Sequence, residues 1–249
     1  MTSTEKKSGI IIIGDEILSG RTKDTNSNFI TNVLSEKGLE VQEIAIIKDE
    51  EKEIIRKVNE FSSKFEFVFT TGGIGPTHDD ITALSISKAF DLEYKINLKA
   101  KKLLEKHYNK TGELTKARLK MAYMPKGSKL ISNPVSIAPG FNIKNVYVFP
   151  GVPQIMQSMF LEFVENISKN KNLSEVSIIT VLSEGIIAEF VEEIQRKNST
   201  VKIGSYPYFK NGDFGVTLIL KSRSSSNLKY VSEKIFKYLY DLNGNPKYL

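Results

Sequence analysis

The sequence contains no cysteine, no tryptophan and only two histidines, His78 and His107. Without thiols there can be no disulfide, no thiolate zinc or iron–sulfur site and no cysteine nucleophile. Two histidines cannot build a multi-histidine metal centre within one chain, so any metal must be held by oxygen. Long apolar runs are missing too. The opening run Ile10–Ile13 ends at Gly14, too short for a signal sequence or a membrane span. A cytoplasmic chain with no membrane partner is expected. Charge of one sign is scarce: 35 Lys and Arg against 29 Asp and Glu leave +6. The lysines alternate with glutamates at 50–53 and 99–106, which predicts solvated helix faces and no nucleic-acid partner.

What is present is an ordinary globular composition: 249 residues, 40% apolar and 26% charged, enough for one large or two small domains. Strand-like runs at Ile10–Ile13, Leu39–Ile47 and Phe65–Thr71 alternate with helical spacings at 29–34 and 54–61, the second run of spacings being Ile54, Ile55, Val58 and Phe61. Such alternation predicts a mostly parallel sheet with helices on both faces. A helix with Ile81, Leu84 and Ala89 inward is expected next, then helix over 99–123 broken near Gly112, and a helix opened by Pro153. The polar stretch Asn166–Ser174 reads as a linker. Beyond it the order becomes βαββα, with Asn211-Gly212 as a hairpin turn, so the domains are placed at 1–170 and 171–249, the second a small two-layer α+β unit.

The chemistry concentrates in Thr71-Gly72-Gly73-Ile74-Gly75-Pro76-Thr77-His78-Asp79-Asp80, between a buried strand and a helix. Three glycines let the backbone turn sharply and aim its amides outward, and a helix start beyond them favours an anion. No Gly-Lys-Ser/Thr follows, so this is not a Walker A loop, and the spacing misses the dinucleotide fingerprint. Thr77 and Asp80 also match a helix capping box, which accounts for part of the motif but not for Asp79 or the glycines. Acids beside a phosphate cradle call for a hard divalent cation between them, with Asp79 and Asp80 as the candidate ligands. Adjacent residues at a helix start point in different directions, so one of the two is expected to bind the metal and the other to cap or take a hydroxyl. Ligands collect at the carboxyl ends of strands in open α/β sheets, where Asp15, Asn26 and Asp49 also fall. Asp24 or Asn26 could equally cap a helix, and Asp49 could serve a helix dipole. Residues 133–140 form a small-residue loop suited either to a flat base or pterin or to a plain turn. His78 has no nucleophile signature to serve.

The segments GDEILSGRTKDTN, TTGGIGPTHDDIT, NPVSIAPGF and FPGVP, in that order, resemble the MoaB/Mog-type molybdopterin-binding superfamily, and within it the CinA N-terminal domain and the similar domain of eukaryotic FAD synthase, over residues 8–168. The resemblance implies a three-layer α/β/α fold, a small-molecule nucleotide or pterin ligand, a divalent metal (Mg, Mn or Co) and a homo-oligomer. It places Asp80 and Asp49 as catalytic acids, Gly72, Gly73 and Gly75 as the phosphate loop, and Asp15 as the acid of the first strand. Thr77, Asn26, Ser136, Pro139 and Gly140 complete the expected ligand contacts. The expected function is metal-dependent hydrolysis of a nucleotide pyrophosphate of the ADP-ribose or FAD type. A molybdopterin adenylyltransferase and a non-catalytic binding module are the alternatives. Ser136-Ile137 stands where CinA-like chains read Gly-Thr, and Ile155 where they carry Glu after Pro-Gly-Val-Pro.

Overall fold

The computed structural model describes residues 7–165, 167, 174–210 and 212–249. The expected linker lies almost wholly outside the described residues, as does Asn211 of the expected hairpin turn. Two compact units are present, Met1–Asn170 and Lys171–Leu249.

In the first unit the chain runs β1 (Lys7–Ile13), α1 (Asp15–Leu18), α2 (Asn26–Glu36), β2 (Glu40–Ile47), α3 (Glu51–Lys64), β3 (Phe67–Thr71), α4 (Thr82–Ala89), β4 (Tyr94–Ile96), α5 (Leu98–Thr111) and α6 (Lys116–Leu119). A 3₁₀ turn (Lys120–Ala122), β5 (Tyr123–Pro125), β6 (Lys129–Ile131), β7 (Gly140–Ile143), β8 (Val146–Phe149) and α7 (Pro153–Glu165) follow. The main sheet has the order β2-β1-β3-β8-β7-β6. Its first four strands are parallel and the last two join antiparallel, while β4 and β5 form a separate antiparallel pair.

Consecutive side chains of a strand face opposite ways, and β1 shows both faces covered. Ile11 and Ile13 pack with Ile54, Val58, Phe61, Ile86 and Leu104 from α3, α4 and α5. Ile10 and Ile12 pack with Ile30 and Leu34 of α2 and with Met156, Met159 and Phe160 of α7. The result is the three-layer α/β/α arrangement. The register aligns Ile13 with Ile47, Ile12 with Thr71 and Thr71 with Phe149. Four parallel strands therefore end at one edge, and the loops leaving them meet there.

Several local expectations need correction. The buried side of α4 is Thr82, Ala83, Ser85, Ile86 and Ser87, because this helix packs on both the sheet and α3; Leu84 is only half-buried and Ile81 lies before the helix. The helix expected over 99–123 stops at Thr111, ended by Gly112 at φ 145°, and its last residues form the 3₁₀ turn and the start of β5. Asn97 caps α5, its side chain accepting from the Lys99 and Ala100 amides at 3.0 and 3.2 Å. Asn97→Ala should cost about 1 kcal/mol in chemical denaturation, the usual loss at such a cap.

The second unit runs β9 (Ser174–Thr180), α8 (Glu184–Lys197), β10 (Val201–Lys210), β11 (Asp213–Ser222), α9 (Ser225–Asp241) and β12 (Lys247–Tyr248). Its antiparallel sheet has the order β10-β11-β9-β12. Ile178, Val216, Leu218 and Leu220 from one sheet face pack with Ile187 and Ile194 of α8 and Val231, Ile235 and Leu239 of α9. The short β12 extends the expected βαββα order to βαββαβ; two exposed residues carry too little hydrophobic pattern to announce a strand.

Candidate functional site

The site grows from the aligned strand ends. After β3 the chain must turn at once, and it does so through two left-handed residues, Gly72 at φ 105° and Gly73 at φ 65°. A Cβ on Gly72 would stand 2.0 Å from the Ile13 carbonyl oxygen, and one on Gly73 2.2 Å from Thr82 Oγ1, so the loop lies directly on β1 and on the start of α4. The Gly72 amide donates to the Phe149 carbonyl at 3.1 Å. It therefore continues the sheet and is not available to a ligand, contrary to the sequence expectation. The amides of Gly73, Ile74 and Gly75 have no hydrogen-bond partner among the described residues, and these three form the nest. The Thr82 amide donates to the Gly73 carbonyl at 3.0 Å, which fixes the helix start beside the loop.

Acids flank the loop on both sides. Asp49 Oδ1 would lie 3.5 Å from a Cβ on Gly73, and Asp80 Oδ2 2.7 Å from one on Gly75. Asp49 does not cap α3; its Oδ2 accepts the Asp15 amide at 3.0 Å. Burial pushes the Asp49 carboxyl up, the Asp15 amide pulls it down, and the charges of Asp15, Glu16 and Asp79 push it up again. Asp15, Glu16 and Asp79 are thus near enough to act on Asp49 through their charge. Asp79 is held below the ordinary carboxylate range by the Thr77 side chain, then by its own amide and by the positive groups of His78 and Lys120.

Asp80 points elsewhere. Its Oδ2 accepts the Thr77 amide at 2.7 Å and the Thr77 hydroxyl at 2.5 Å. This is half of the expected capping box, but it closes a turn, because α4 begins only at Thr82. Of the two adjacent acids, of which one is expected to bind metal and the other to cap or take a hydroxyl, Asp80 is the one that takes the Thr77 hydroxyl and braces the loop. No three His, Asp or Glu side chains among the described residues converge closely enough to cage an ion. The acids flanking the loop, Asp49 and Asp80, offer carboxylate oxygens, the donor type that a hard divalent cation takes together with ligand oxygens and water.

Asn26 lies beneath the loop, its Nδ2 donating to the Gly151 carbonyl at 2.8 Å and reaching Thr71 Oγ1 at 3.5 Å. Asp24, one residue before the N-cap Thr25, accepts the first amides of α2, those of Asn26 and Ser27, at 2.9 and 3.1 Å. Asn26 Oδ1 and Thr82 Oγ1 are buried without a partner. Orphaned buried groups are few in folded proteins, and a water, ion or ligand can complete them.

In the 133–140 loop, Asn133 accepts the Val135 and Ser136 amides and donates to Ser136 Oγ and the Ala138 carbonyl. Ser136 is thereby tied into its own loop. Ile137 sits at φ 65°, a strained position for a β-branched residue. A Cβ on Gly140 would come within 2.4 Å of the Val148 carbonyl, so Gly140 serves strand pairing. Pro139 alone of this group reaches the loop region. It lines a cleft with Ile74, Gly75, Asp80, Tyr94, Lys120 and Tyr123, closed to about 10 Å³, room for a single water. His78 is fully exposed, 3.9 Å from Asp79.

Sequence reading did not find Glu16, Thr82, Gly151, Lys120 or the Tyr94–Tyr123 pair. Glu16 follows Asp15 at a strand end and could have been read with it. Lys120 is one of many scattered lysines, and nothing in its neighbourhood distinguishes it before folding.

Residues 9–169 match the family described as "Probable molybdopterin binding domain". The chain belongs to this family. Residues 172–242 match a second family, the middle domain of FAD synthase. A protein of Caldivirga maquilingensis is 34% identical over 246 residues, 96% of each chain. A competence-damage inducible protein of Clostridium botulinum is 31% identical over 237 residues, which are 91% of this chain and 56% of that one. Among solved structures, CinA of Thermoplasma acidophilum is 35% identical with a TM-score of 0.60, covering 66% of this chain and 98% of its own. The family description makes a small molecule the fitting occupant of the site. No helix among the described residues is long and apolar enough to cross a membrane.

Proposed function

We propose that this molybdopterin-binding-family chain hydrolyses the phosphoanhydride of a nucleotide pyrophosphate of the ADP-ribose or FAD class, with a divalent cation. The observation that carries this reading is the set of three unpartnered amides, Gly73 to Gly75, flanked by Asp49 on one side and Asp80 on the other. A phosphate seated on the nest takes hydrogen bonds that need no reorganisation, and its charge is stabilised before the reaction begins. Asp49 and Asp79, with Asp15 nearby, would hold the cation. When bound, that cation supplies Lewis-acid polarisation of a phosphate oxygen. Asp80 acts at one remove, holding Thr77 and so the far end of the loop. Water attacks the phosphorus in line, a reaction in which positioning and electrostatics supply most of the rate. The presence of an FAD synthase middle-domain match in the same chain favours a dinucleotide over a simple phosphate.

Incubating the chain with ADP-ribose, FAD and related dinucleotides in Mg²⁺, Mn²⁺ or Co²⁺ should release AMP, detectable by chromatography. No product under any metal would remove the hydrolase reading and leave a binding module. The matched family description supports a second reading, adenylylation of molybdopterin. It predicts ATP turnover only when molybdopterin is supplied.

A further inference from the structure

We infer that Lys120 is a catalytic residue of this site, its ammonium group contacting the bound diphosphate and stabilising the charge that develops on the leaving phosphate. The inference rests on the reading of the loop as a diphosphate site.

The charge balance of the site calls for a cation of its own. Asp15, Glu16 and Asp79 bear on Asp49, and Asp80 closes the other flank. A dinucleotide adds two negative charges, and one divalent ion returns only two. The carboxylates Asp49 and Asp80 then still flank a reaction that accumulates negative charge at its leaving oxygen. Lys120 is the one basic side chain among the residues lining the cleft of Gly75, Asp80 and Pro139. Its Nζ donates to the carbonyl of Thr77, the residue whose amide and hydroxyl Asp80 grips. It is also close enough to stabilise the Asp79 carboxylate.

The fold delivers it there deliberately. Thr115 caps α6 through the Arg118 amide at 3.2 Å, the 3₁₀ turn follows directly, and the Asn97 amide holds the Ala122 carbonyl at 2.8 Å. The base of the Lys120 side chain is thus anchored on both sides, while its flexible stem ends at the loop. A neutral carbonyl is a weak partner for an ammonium, and an incoming phosphate oxygen is a stronger one. On ligand binding, the ammonium leaves Thr77 for the phosphate. When the anhydride P–O bond breaks, the electron pair goes to the leaving phosphate oxygen, the attacking water forms the new P–O bond and releases its proton to solvent, and Lys120 neutralises the departing group while remaining protonated.

A purely structural role, tethering the 3₁₀ turn to Thr77, predicts something different, and three variants of the full chain separate the two. Lys120→Gln keeps a donor for the Thr77 carbonyl but has no charge, Lys120→Met keeps neither, and Lys120→Arg keeps both. Calorimetric titration with inorganic pyrophosphate in Mg²⁺ should show Gln and Met weakened alike, at least about 10-fold, with Arg near wild type. In ADP-ribose turnover with Mn²⁺, kcat should fall about 100-fold in Gln and Met and recover in Arg, with melting temperatures unchanged. Gln behaving like wild type, or Met binding pyrophosphate normally, overturns the inference. If the wild-type chain releases no AMP, the hydrolase reading fails separately, and the pyrophosphate titration still decides Lys120. Absence of pyrophosphate binding in the wild type overturns both.

Discussion

Asp49→Asn should lower kcat/KM for the dinucleotide by about 10³-fold while the protein melts at or above the wild-type temperature. The loss is that of a charged ligand from a site whose rate comes from fixed electrostatics. The stability follows from the physical cause of the Asp49 shift. Burial raises its pKa, as do Asp15, Glu16 and Asp79, and the one opposing contribution, the Asp15 amide, can be accepted equally well by an Asn oxygen. A carboxyl with a raised native pKa binds its proton more tightly when folded. Stability is therefore lost as pH rises from the ordinary aspartate pKa through the raised native one, and the penalty persists at neutral pH. In the absence of divalent ions the variant's advantage should appear across that window, hold at pH 7 and vanish in acid. Thermal melts of both proteins from pH 3 to pH 8 check the sign. An advantage that grew on acidification would contradict it.

Gly72→Ala should cost about 3 kcal/mol, a large loss for one methyl group. Two effects add. At φ 105° an L-residue is strained, and the new Cβ would stand 2.0 Å from the Ile13 carbonyl oxygen, a backbone atom held in β1 between β2 and β3. The sheet cannot yield there, because Ile13 is also paired with Ile47. Gly127 provides the control. Its φ is 88°, but a Cβ there meets nothing within 4 Å, so Gly127→Ala should show the backbone cost alone, about 1 kcal/mol. Denaturant midpoints of the two variants give the difference. Equal losses would mean that the turn after β3 is not wedged against β1, and the placement of the nest would fall with it.

The contrast between these glycines shows what a sequence can carry. The three glycines after a buried strand announced a sharp turn because their reason is local: two of them take positive φ directly after β3. The layers were equally legible, since both faces of Ile10–Ile13 had to be covered by helices. That the adjacent Asp79 and Asp80 point in different directions was legible too. What could not be read was partnership: Asp80 turns back on Thr77 and lies against Gly75. Gly72 spends its amide on Phe149, a strand eighty residues away in the chain by rough count, and no local pattern reveals such a partner. Gly140 was read as a ligand contact and is a packing requirement against Val148. Lys120 became visible only once the 3₁₀ turn placed it over the loop.

The central claim is that backbone amides and an acid-held divalent ion share the diphosphate. Titration calorimetry of ADP-ribose into the wild-type chain, in Mn²⁺ and then in EDTA, with Asp49→Asn alongside, tests it most directly. The account predicts binding in Mn²⁺, at least about 100-fold weaker affinity in EDTA, and a variant that binds as weakly in Mn²⁺ as the wild type does without metal. Equal affinity in all three titrations would contradict it.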